Sequence, residues 1–193
     1  MRTSTNTSEI ENEGGTIAKA WSWLLHPPVA GPQATIVLRA MAGSVFLWEG
    51  ILKFVYANQG VGRFTKLGFP LPELTAGFAG GLEIAGGAML LLGLGTRFIA
   101  IPFIVEMIVA MLSTKPGLFL GTSPLPLPAS PPQIGTWAVL HEVRSEYAQL
   151  MSCIFLLAAG PGPWSLDAWL ARGEKTQPHG VFERAGSELV CKR

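Results

Sequence analysis

Charge is the first thing this sequence lacks: 14% of its 193 residues are Asp, Glu, Lys or Arg, against roughly 25% in an ordinary soluble domain. The charges that remain nearly cancel, to a formal net of +1, so there is no electrostatic footprint for nucleic acid or another strongly acidic partner. Cysteine is almost missing as well. Cys153 and Cys191 lie far apart without a CxxC pair, which indicates neither a disulfide framework nor a dithiol redox centre. His26, His141 and His179 are too scattered to argue for a haem pair. The Glu-x-x-His spacing of carboxylate metal sites in helical bundles is absent, so no metal site is expected. Nor is there a basic stretch followed by an apolar run near the start, as a secretory signal peptide would need. With Glu9, Glu11 and Glu13 in it, the stretch 1–16 reads instead as a flexible cytoplasmic tail.

Hydrophobic residues, by contrast, make up 49% of the chain, and 23 glycines accompany them. Glycine is tolerated in membrane helices and lets them approach closely. These glycines sit inside apolar runs with no βαβ context, so they are not a phosphate-cradling loop. The pattern predicts an all-α integral membrane four-helix bundle over residues 36–170, with crossings at about 36–54, 74–94, 96–114 and 137–160. A crossing needs about 20 largely apolar residues. The third run must therefore extend into its Thr96 and Thr114 flanks, and the fourth must recruit the more polar stretch ahead of Tyr147. Segment 17–28, with Trp21 and Trp23 beside Lys19 and stopped by Pro27 and Pro28, is too short to cross. It reads as a short interfacial helix or an ordinary linker. Lys and Arg outside the runs favour both termini in the cytoplasm, with Arg39 and Arg97 on the inner side and Lys53, Arg63, Lys66 and Lys115 on the outer. The connection 113–135, rich in proline from Pro116 to Pro132, is expected to be short polyproline II pieces. The polar tail 171–193 is expected to be mobile.

Ionisable residues inside the crossings carry the information about function. A carboxylate at the bilayer centre costs roughly 2.5–3.5 kcal/mol even on the lenient insertion scale, so each needs a partner, water or the bundle interior. Glu49 and Lys53 are one helical turn apart, with the acid first, and make a candidate ion pair. That pair either neutralises itself near the membrane surface or forms a charged rim to a ligand cavity. Glu83 shares its helix face with Gly80, Gly86 and Gly87, while Gly77, Gly81 and Ala85 form a small-xxx-small face expected to pack closely. Glu83 is then either a lone interhelical hydrogen bond or a functional group. On the fourth helix Glu142, Glu146, Gln149 and Cys153 make one polar stripe, which should turn away from lipid. The expected candidate interior polar site is Glu83, Glu106, Glu142, Glu146 and Gln149, reachable from the outer side. Catalytic residues are not legible.

Several fragments, in order, resemble the DoxX family of four-helix membrane proteins. Arg39, Gly43, Gly50 and Lys53 resemble its first-helix pattern. Leu82-Glu83-Ile84-Ala85-Gly86-Gly87, then Leu91-Leu92-Gly93-Leu94 and Thr96-Arg97, resemble its Glu–Gly–Gly segment and Gly-x-x-Thr-Arg turn. Glu146, Gly160-Pro161-Gly162 and Ser165-Leu166-Asp167 resemble its closing elements. The resemblance implies a bacterial inner-membrane, multi-pass protein surrounded by lipid. A related subunit belongs to thiosulfate:quinone oxidoreductase, and others are associated with oxidative-stress complexes. It therefore implies a membrane subunit with a redox or quinone link, working with other membrane or redox subunits. The cofactor itself is unknown: quinone fits, whereas there is no flavin, haem or iron–sulfur signal. Two alternatives stand beside it, a small-solute or proton pathway and a non-catalytic membrane anchor for partner proteins.

Overall fold

The computed structural model describes residues 31–174, together with Thr16, Ala18, Lys19, residues 21–24 and Val29. The expected N-terminal tail, apart from Thr16, and the polar tail beyond residue 174 lie outside the described residues, as do His26, His179 and Cys191. All regular structure among the described residues is helical, with no strand. After helical backbone at 21–24 come α1 (Thr35–Val55), α2 (Val61–Lys66), α3 (Pro72–Leu92), α4 (Thr96–Leu120), α5 (Thr136–Glu142), α6 (Arg144–Ala159) and α7 (Leu166–Glu174). Three of these, α1, α3 and α4, are long and apolar enough to cross a membrane. Large apolar side chains such as Val37, Val55, Leu92 and Leu112 stay exposed on their outer faces, as lipid-facing positions would be.

Turn chemistry sets the boundaries. Helix α3 starts on Pro72, whose fixed φ suits the first helical turn. It stops at Gly93, which takes a left-handed φ of 70° while Leu94 N donates to Met89 O. Only Gly93, Leu94 and Gly95 then separate α3 from α4, so the two must run antiparallel. Helix α4 runs through Pro116, contrary to the proline-based expectation of irregular chain from residue 113. Its terminator is Gly121, in the left-handed region at φ 72°. Membrane helices absorb an internal proline more readily than soluble ones, whereas a left-handed residue cannot continue the helix. Irregular chain occupies only 121–135. Helices α5 and α6 join end to end, with Val143 in right-handed helical geometry and Tyr147 N donating to Val143 O.

Helix α1 packs along α3 and α4 along α6, with further contacts between α1 and α6 and between α3 and α4. The α1–α3 seam is made of glycine. A Cβ on Gly43 would lie 2.8 Å from Gly87 O, and one on Gly50 would lie 2.7 Å from Gly80 O. These backbones touch. Gly77 and Gly81, the face expected to pack, would meet nothing within 4 Å. The seam is instead the face that carries Glu83, because a helix face with a charge to answer has more to gain from a partner than a plain small-residue face. Below it lies the core, where Phe46 stacks on Phe103 at 3.7 Å between ring centroids beside Leu90 and Leu156.

Gly87→Val is expected to cost about 1–3 kcal/mol by overpacking the seam, read as a lower thermal midpoint in detergent. Gly77→Ala is expected to leave the midpoint unchanged or slightly raised, since it only improves helix propensity. Equal losses from both would place the seam elsewhere.

Candidate functional site

The seam decides where the charges meet. Gly50 leaves room for Glu83, whose Cβ would otherwise lie 2.9 Å from a methyl there. Lys53 follows Gly50 by three residues, and its Nζ donates across the seam to Glu83 Oε2 at 2.5 Å. Glu83 is 3% exposed. The Glu106 carboxyl of α4 lies beside that of Glu83 on the same cavity wall. A lysine, a paired carboxylate and a second carboxyl thus come from three different helices. The expected Glu49–Lys53 pair does not form. Lys53 turns to Glu83 because that carboxylate is buried and needs a counter-charge, whereas Glu49 is exposed.

A second ion pair lies on the facing side. Lys115 Nζ donates to Glu146 Oε1 at 2.6 Å and to the backbone carbonyl of Glu142 at 3.2 Å, tying α4 to the α5–α6 junction. Between the two pairs is a cavity of about 720 Å³, within the usual range for small-molecule sites. Glu83, Glu106, Glu142, Glu146 and Gln149 all line it, as do Glu49 and Lys53. Phe64, Phe69 and Phe78 give it apolar walls. Of the polar stripe, Cys153 alone drops below the cavity, buried in the core. Sequence reasoning missed Lys115, and also Phe64 and Phe69, which the short α2 and the turn after it contribute. Lys115 carried a legible signal, as a lone cation at the end of an apolar run. The α2 aromatics carried none, because nothing in the sequence tells that α2 folds over the helices.

The opposite end of the helices is a polar knot. Arg39 is 2% exposed and spends its guanidinium on four carbonyls: Leu90 and Leu91 at the end of α3, and Pro161 and Trp164 beyond α6. Gly93 serves a second purpose here, since a Cβ would lie 2.5 Å from the Arg39 guanidinium carbon. Asp167 accepts from Gly95 N at the start of α4. Arg97 donates to Ala158 O and Trp23 O, with the Trp23 ring 4.0 Å from its guanidinium carbon. Each of these groups satisfies backbone that helix ends leave open, which makes this end structural.

Comparison with known proteins follows the same residues. The DoxX family model matches residues 34–116. An uncharacterized membrane protein of Mycobacterium tuberculosis, Rv3486, is 40% identical over 164 residues, covering 82% of this chain and 93% of that protein. The chain belongs to the DoxX family. It is a membrane protein, and its lipid-facing helices place it in a bilayer. CatD of Bacillus subtilis, provisionally named an oxidoreductase, is 25% identical over 142 residues, covering 73% of this chain and 90% of CatD. No solved structure matches the chain with significance. The DoxX match takes in Arg39, Lys53, Glu83, Glu106 and Lys115, so the central cation of the polar knot and most of the cavity wall lie within the family region, whereas Trp23, Pro161, Trp164 and Asp167 of the knot lie outside it. Glu142, Glu146 and Gln149 lie beyond it.

Because Glu83 is buried, removing one partner of its pair leaves an unanswered charge, which costs about 3–5 kcal/mol. Lys53→Met is therefore expected to destabilise this DoxX protein strongly in detergent, and adding Glu83→Gln is expected to restore much of the loss. Thermal unfolding of the single and double variants checks this. Additive losses would mean that the two side chains are not coupled.

Proposed function

We propose that this DoxX protein is a membrane subunit that holds a quinone-class ligand in the cavity between α1, α3, α4 and α6. In this reading α5 and α6 together make the fourth crossing of a four-helix bundle in the bacterial inner membrane. Both termini are cytoplasmic, and the segment before α1 lies in the headgroup layer. The observation that carries the reading is the Lys53–Glu83–Glu106 group on the wall of a largely apolar cavity. Apolar walls suit a ring from the lipid phase, and a few convergent polar groups orient it. Ionisable residues at membrane depth mark ligand or proton pathways. When bound, the quinone supplies the redox chemistry, and the electrons come from a partner subunit that carries a redox cofactor. The chain's own residues bind the ring, keep Glu83 paired and place the Glu106 carboxyl next to the ligand. Lys115, Glu142 and Glu146 connect that position with the far side of the cavity. The oxidoreductase description of CatD supports a redox link.

A proton or small-solute pathway is the second reading, favoured by the ionisable groups that share one cavity lining, Glu142, Lys115 and Glu146 with Glu106 and Glu83. It requires transport where the first requires binding. A non-catalytic anchor requires neither.

Mass spectrometry and absorbance of the detergent-purified protein separate these readings. A near-stoichiometric quinone, depleted several-fold in Glu83→Gln, is the expected result. A protein that arrives empty and gains nothing on adding quinone would contradict it, and proton or solute flux in vesicles would then choose between pathway and anchor.

A further inference from the structure

Two acceptors on the cavity wall have no hydrogen-bond donor: Glu106 Oε2 on α4 and Gln149 Oε1 on α6. Gln149 is 6% exposed, so bulk water does not answer it. A buried acceptor left unanswered carries the full cost of its lost hydration, and such groups in folded proteins are nearly always satisfied by something. No side chain hydrogen-bonds to either atom, Arg63 and Gln59 of the same lining included. Lys53 is engaged with Glu83 and Lys115 with Glu146. The hydroxyls on the wall are committed too: Thr75 donates to Pro70 O and Leu71 O, Ser113 and Thr114 to Ala110 O, and Ser145 to Glu146 Oε2. The Cys153 thiol, buried in the core below, is only a weak donor.

The missing donor therefore belongs to whatever fills the cavity. An oxidised quinone cannot supply it, because its carbonyls only accept. The apolar walls of Phe64, Phe69 and Phe78 call for a ring rather than water alone. Resting on the reading of the cavity as a quinone-class site, we infer that it preferentially takes the hydroxyl-bearing form, a quinol or phenol. Its O–H groups donate to Gln149 Oε1 and Glu106 Oε2. Gln149 is then the residue that distinguishes the reduced from the oxidised ligand. Replacing a needed donor leaves buried acceptors stranded, and sites built to bond a hydroxyl reject analogues that lack it far more strongly than apolar pockets reject an added methyl.

The test titrates trimethylhydroquinone, its dimethyl ether and trimethylbenzoquinone anaerobically into the detergent-purified full chain, followed by calorimetry. The hydroquinone is expected to bind about tenfold or more tightly than either the ether or the quinone. The ratio should fall towards one in Gln149→Leu. Equal affinities of hydroquinone and ether in the unaltered protein would overturn the inference while leaving a quinone-class site in place. A preference that survives Gln149→Leu would overturn the role given to that residue. Binding by none of the three would overturn this inference and the quinone-class site together. The comparison of ligands on the unaltered protein does not depend on any variant folding.

Discussion

A carboxylate on the packed face of a membrane helix has to be answered from inside the protein, and Lys53 answers Glu83. That pair depends on the glycine seam, because only bare backbone lets α1 and α3 come close enough for a lysine side chain to reach across. The seam in turn fixes the rotation of both helices. Once Glu83 faces α1, Glu106 of α4 comes to lie beside it, and the Phe46–Phe103 stack closes the core beneath. The cavity is what remains above that stack, where α4 and α6 are tied by Lys115 and Glu146 rather than by close packing.

The two ends of the molecule use charge differently. At the Arg39 end every buried cation is turned onto backbone carbonyls of helix ends and turns, and the segment before α1 is pinned there through Trp23. Unpartnered buried atoms occur at both ends, Thr35 Oγ1, Thr96 Oγ1, Arg97 Nε and Asp167 Oδ2 here and Glu106 Oε2 and Gln149 Oε1 at the other. At the Lys53 end the charges pair with one another across a cavity. The same residue types thus build a fastening at one end and a ligand-sized space at the other. The difference lies in whether helix-end carbonyls are near enough to consume the donors.

Much of this was legible in the sequence, and the exceptions have physical reasons. The apolar runs gave α1, α3 and α4, and a period of 3.6 put Glu142, Glu146 and Gln149 on one stripe. That stripe does line the cavity with Glu83 and Glu106. The partner of Lys53 was not legible. Spacing along one helix favours Glu49, but desolvation across the seam favours Glu83, and one chain does not display helix rotation. Gly77 and Gly81 have the spacing of a packing face as surely as Gly80 and Gly87, and only the helix opposite distinguishes them. Pro116 resembled a helix terminator because proline disrupts soluble helices, whereas Gly121 ends α4 by its left-handed backbone. Arg39 read only as an inner-side cation near the start of the first crossing, since the four carbonyls that hold it come from residues far along the chain.

The most direct test of an interior cavity walled by α4 is thiol accessibility along that helix in native membranes, in a background with Cys153 and Cys191 replaced by serine. Ala110→Cys and Ser113→Cys place a thiol on the cavity wall, whereas Ile108→Cys and Leu112→Cys place one on the outer face. A membrane-impermeant maleimide is expected to label 110 and 113 and to spare 108 and 112, with quinone-class ligand protecting the first pair. Uniform protection of all four, or labelling that ignores the helix face, would contradict a ligand-accessible cavity at this position.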